Sequence, residues 1–177
     1  KDDPAFTKKL IKHAKGNIYN FLDHQLEDGY IPMMIEVADW ERPYLNMKHE
    51  EGILMNMHKP FLCQQIKLIS EFIEDYEWIR PYVDQLRKYF TCYKENYYFQ
   101  NSGLYVWCDD IMIGMDNDPA TFGRPKFSTA NIYLNSFMVM ELEAMSEILT
   151  SLNLEKEDIN FYNKEKEELI ERIQEEC

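Results

Sequence analysis

Apolar residues recur at helical spacing in five stretches of this chain, and the polar residues between them mark where each stretch starts and stops. The first opens at Asp3-Pro4, an N-cap followed by proline at the first helical position. Phe6, Leu10, Ile11, Ala14, Ile18, Phe21 and Leu22 then form one face, with Lys8, Lys9, Lys12 and Lys15 elsewhere around the helix. The pattern runs to about His24, and Asp28-Gly29 turns the chain. The second starts at His58-Lys59-Pro60 and carries Phe61, Leu62, Ile66, Ile69, Phe72 and Ile73; Gln64 and Gln65 stand near its start, where they are expected to reach a central cavity. After the break at Arg80-Pro81, the third runs through Val83, Leu86, Tyr89, Phe90 and Tyr93.

The fourth helix is long, from Ala130 to Leu149, with Ser128 or Thr129 as the expected cap. It is apolar on nearly all sides, which predicts burial on more than one face. The last, about Asp158 to Glu176, is amphipathic through Ile159, Tyr162, Leu169, Ile170 and Ile173. Short extended pieces lie between the helices. Leu104–Trp107 has strand composition, and Met33, Met34, Ile35 and Val37 read as a buried strand. Asp39–Tyr44, which contains Trp40, is either the rim of a pocket or a packed loop. The order is helical hairpins joined by long loops, an all-α architecture with no repeat of fixed period.

Charge narrows the function. The chain has 19 basic and 32 acidic side chains and a net charge of -13, which disfavours phosphate backbones and anionic membrane surfaces. Glu155–Glu176 holds nine acids against four bases and reads as a solvated helix face. The separations of Cys63, Cys92, Cys108 and Cys177 give no zinc pattern and identify no disulfide. No phosphate loop, nucleophile elbow or zinc-protease motif is present, and the sequence shows no transmembrane run or secretory signal.

The chemistry concentrates between Tyr105 and Pro125. Asp109, Asp110, Asp116 and Asp118 fall within ten residues, around the apolar run Ile111–Met115. Carboxylates tied to a buried segment are exposed to desolvation and to each other, and both raise pKa, as a general acid requires. Trp107 and Phe122 flank the cluster, and Arg124 adds a planar fork of donors. Two readings stand: a sugar site, or a turn-rich loop with capping aspartates.

Tyr105-Val106-Trp107, the segment Asp110–Pro119 and Gly123-Arg124-Pro125, followed by a long apolar helix with Tyr133-Leu134-Asn135, resemble the six-hairpin glycosidases. The nearest branches are the trehalase-like enzymes, glycoside hydrolase family 63 and the mannosylglycerate hydrolases. Gly29-Tyr30-Ile31-Pro32 and His58-Lys59-Pro60-Phe61 are similar to segments of the same family. Many relatives carry Glu-Ser-Gly ahead of the acid; here Met112 and Ile113 replace the first two, and Gly114 alone matches.

The resemblance implies an (α/α)6 toroid, about half of it within residues 1–177 as a single partial catalytic domain. It implies hydrolysis of α-linked di- or oligosaccharides with inversion. Asp116 falls on the general acid, and the general base is expected outside this chain. Trp107, Asp110, Asn117, Arg124, Trp40 and Gln64 are the expected sugar contacts, and the chemistry requires no metal or organic cofactor. A half ring leaves apolar helix faces uncovered, which predicts association through them. The alternatives are a non-catalytic helical interaction module and a carbohydrate-binding protein without turnover.

Overall fold

The computed structural model describes residues 3–35, 49–50, 53–54, 57–115 and 118–176, and over these the protein is all-α with short strands in its loops. Helix α1 spans Pro4–Asp23; the Asp3 side chain accepts from the N–H groups of Ala5 and Phe6, so cap and proline act as their spacing predicts. Strands β1 (His49–Glu50) and β2 (Ile53–Leu54) pair antiparallel. Helix α2 spans Leu62–Ile73, and a 3-10 segment, Glu77–Tyr82, leads directly into α3, Val83–Asn96. Strands β3 (Tyr98–Phe99) and β4 (Leu104–Tyr105) form a hairpin. A single turn, α4 (Asp110–Ile113), precedes the two long helices α5 (Ile132–Ser151) and α6 (Lys156–Glu176).

Helix α5 is the centre. It packs along α6 on one side and α2 on the other, and α2 in turn packs on α1. That position explains its composition: Leu134, Met138, Leu142, Met145, Ile148 and Leu149 are buried on one broad face, while Ile132 and Met140 on the opposite side are exposed. The α5–α6 connection is tight because Asn153 takes a left-handed φ of 51°, a conformation that asparagine tolerates. Cys63, Cys92 and Cys108 are buried and stand outside any disulfide among the described residues.

Several local expectations shift. The cap of α5 is Asn131, whose side chain accepts from Leu134 N–H, rather than Ser128 or Thr129. Thr129 instead donates its hydroxyl to the Ala120 carbonyl and pairs with Trp107 as a β-bridge. Helix α2 begins two residues after Pro60, and α6 begins at Lys156. Met33–Ile35 form no strand, and among the described residues the pairing beside them is the bridge Pro32–Met57. Val37 and the segment Asp39–Tyr44, with Trp40, lie outside the described residues. An apolar groove lies open between α1 and α2. Leu10, Ile11 and Ala14 of α1 and Leu68, Ile69 and Phe72 of α2 line a volume of about 260 Å³, and Leu68 and Phe72 are 65% and 66% exposed.

Candidate functional site

Two asparagines at the start of α5 fasten the strand that leads into the acidic loop. Asn135, fully buried, accepts from Tyr105 N–H at 2.8 Å and donates to the Tyr105 carbonyl at 3.0 Å and to Asn131 O at 2.9 Å. Asn131 accepts from Trp107 Nε1 at 3.1 Å while capping the helix. Trp107 also donates its backbone N–H to Thr129 O, and its ring leans on Tyr133 at 6.2 Å. At 1% exposure the indole presents no face to solvent. Truncation of Asn135 orphans both polar groups of Tyr105 in the core. Asn135→Ala is therefore expected to destabilise the protein by about 2–3 kcal/mol, measured by denaturant unfolding.

Beyond Trp107, two of the four clustered carboxylates act in turns. Asp109 accepts from Met112 N–H at 3.1 Å, and Asp118 accepts from Ala120 N–H at 2.8 Å. The Asp118 carbonyl also takes the N–H groups of Thr121 and Phe122. These are the roles that the capping reading assigns to aspartate. Met112 and Ile113 are buried, as their apolar run predicts, whereas Met115 is 46% exposed and adds no greasy surround. Asp116 and Asn117 lie outside the described residues, as does the side chain of Asp110. Arg124 is exposed, and its Nε donates to Pro119 O at 3.2 Å, within the same loop.

Gly114 shows why the motif keeps a glycine. Its φ is 68°, and a Cβ there would lie 2.7 Å from Lys59 Nζ. The Lys59 ammonium is thus pressed beneath the turn that precedes Asp116. Burial lowers its pKa, and it donates weakly to Met33 Sδ at 3.6 Å. The backbone carrying Lys59 is held firmly. Tyr89 and Tyr93 donate their hydroxyls to the His58 carbonyl at 3.2 and 2.6 Å, and Tyr89 also reaches Lys59 O at 2.7 Å. His58 Nδ1 lies 2.7 Å from the same Lys59 carbonyl, so this nitrogen carries the proton. Burial pushes the His58 pKa down to about 4, and the ring stays neutral.

Among the described residues, the carboxyl with a raised pKa lies elsewhere. Glu141 of α5 is fully buried at the first turn of α2, where it accepts from Cys63 N–H at 2.7 Å, Gln64 N–H at 3.2 Å and Gln64 Nε2 at 3.3 Å. Burial pushes its pKa up to about 7, against the pull of these N–H donors. The Gln64 amide is engaged with Glu141, Pro60 O at 2.7 Å and Phe137 O at 3.3 Å. Glu141 had one signal in the sequence: it interrupts the apolar stripe Leu134, Met138, Met145, Ile148 at a core position.

The structure thus brings Lys59 against Gly114 in the acidic loop, packs Trp107 on the start of α5, and sets Gln64 in the Glu141 clamp. Among the described residues, no group of three or more His, Cys, Asp or Glu is placed to hold a metal, and no helix is long and apolar enough to cross a membrane. The chain matches no protein-family model, no curated protein and no solved structure.

Proposed function

We infer that the chain is part of an inverting α-glycosidase that hydrolyses α-linked di- or oligosaccharides, with Asp116 as the proton donor. The observation that carries this reading is the turn at Gly114. The glycine shared with the family motif takes a left-handed φ of 68°, a conformation that favours glycine, and it stands two positions before Asp116. The loop around it is fastened on both sides, by Asn131 and Asn135 before it and by the Asp118 turn after it. A fixed loop is what positioning a proton at a leaving oxygen requires.

In this reading Asp116 protonates the glycosidic oxygen. A glutamate outside the chain, ~6.5–9.5 Å across the site, activates water on the opposite face of the sugar. The paired helices belong to about half of an (α/α)6 toroid, and the groove lined by Leu10, Leu68 and Phe72 is a face for further helices to cover. Asp110, Asn117, Arg124 and Trp40 are proposed to contact sugar hydroxyls or rings. Trp107, enclosed by Tyr133 and Asn131, supports the strand beneath them. The open groove also favours a second reading, a helical interaction module in which the loop is structural.

Product stereochemistry separates the two. The full-length natural protein, given an aryl α-glucoside, whose hydrolysis frees a single glucose, is expected to release β-glucose first, seen by NMR before mutarotation. Release of the α-anomer overturns inversion, and the absence of hydrolysis across α-linked substrates favours the interaction module.

A further inference from the structure

A pocket of about 200 Å³ opens between α3 and α6, away from the acidic loop, and its floor is Tyr105 and Leu142. Phe90, Phe161 and Tyr162 complete an aromatic wall, with Phe161 53% exposed at the mouth. An engineered apolar cavity of about 150 Å³ holds benzene, so this volume accommodates one ring and a substituent. At one end stands a closed charge pair: Lys94 Nζ lies 2.6 Å from Glu165 Oε2 and 3.7 Å from the centre of the Tyr98 ring. Glu95 also lines the pocket, so its charged side is net negative and disfavours an anion, while the apolar aromatic wall disfavours burial of a cation.

Tyr105 is the observation that points to an occupant. The residue is 3% exposed, and its backbone N–H and carbonyl are both satisfied by Asn135. Its hydroxyl has no hydrogen-bond partner among the described residues. Burial raises its pKa, and Glu165 and Tyr98 add to the rise, so the hydroxyl lies within the field of the charged end. Among the described residues the sealed, unpartnered side-chain oxygens are Tyr97 Oη and Thr121 Oγ1, so the Tyr105 oxygen keeps access to the pocket and is available to a ligand hydroxyl.

We propose that this pocket is a binding site for a small neutral molecule consisting of one aromatic ring with a hydroxyl substituent. The ring fills the space between Phe90, Leu142 and Tyr162. Its hydroxyl accepts from Tyr105 and donates to Glu165. The proposal does not depend on the glycosidase reading.

Phenol and benzene are the probes, titrated into the protein with aromatic NMR signals of Phe161 and Tyr162 as the readout. Wild type is expected to bind phenol saturably and roughly fivefold more tightly than benzene, the value of one hydrogen bond. Tyr105→Phe removes only the hydroxyl and is expected to abolish that preference while benzene affinity stays unchanged. Thr91→Trp, at an exposed helix position on the pocket edge, is expected to block both probes with helical circular dichroism retained. Absence of saturable shifts up to about 10 mM phenol overturns the proposal. So does an unchanged phenol preference in Tyr105→Phe, or unchanged binding in a folded Thr91→Trp protein.

Discussion

Glu141→Ala is expected to destabilise the protein by roughly 3–5 kcal/mol, seen as a lower denaturant midpoint. The change leaves the N–H groups of Cys63 and Gln64 without their acceptor at a buried helix start, and it opens a cavity between α2 and α5. The same residue shapes the response to pH. Its folded pKa of about 7 stands above the ordinary glutamate value of 4.5, so the fold favours the protonated form. Its contribution is fully present below pH 4.5 and is lost as pH rises toward and through 7. The loss is on the order of 3 kcal/mol at 1.36 kcal/mol per unit. Other carboxylates titrate in the same range, so the comparison is with Glu141→Gln, which removes the ionisation. The stability difference between wild type and Glu141→Gln is expected to shift against wild type across that window. A difference that stays flat with pH shows that the buried carboxyl does not titrate there.

Asp116→Asn in the full-length protein is expected to lower hydrolysis of an α-linked disaccharide by about 10²–10⁴-fold, the range for a positioned proton donor. The substrate comparison carries the argument. An α-glucosyl fluoride releases fluoride without protonation, so its hydrolysis is expected to fall far less in the same variant. Equal losses on both substrates would mean that Asp116 positions or binds rather than donates a proton. Unchanged disaccharide turnover removes Asp116 from the mechanism altogether. Circular dichroism of the variant separates either outcome from unfolding.

The helices were legible wherever one face is apolar and a cap is local. Asp3-Pro4 marks the start of α1 from adjacent residues alone. The start of α5 was displaced because Asn131 competes with Ser128 and Thr129 as a cap, and the winner is set by a tertiary bond to Trp107. In the acidic loop, sequence showed the density of carboxylates but not their division of labour. Asp109 and Asp118 close turns, a role that depends on which backbone N–H lies two or three residues ahead. Glu141 and Gln64 were obscured for a different reason. Their partners are 77 and 78 residues apart in the chain, and only the packing of α5 on α2 brings them together. Gly114 was visible as a motif residue, while the cause, a left-handed φ of 68° at the turn, was not.

The placement of the cysteines has a practical corollary. Cys63, Cys92 and Cys108 belong to α2, α3 and the approach to the acidic loop, and none of the three is accessible in the folded state. An alkylating reagent must wait for each region to open, so native thiols already act as three clocks of local unfolding. Their reaction rates would rank the stability of the inner helices against that of the loop without any introduced label.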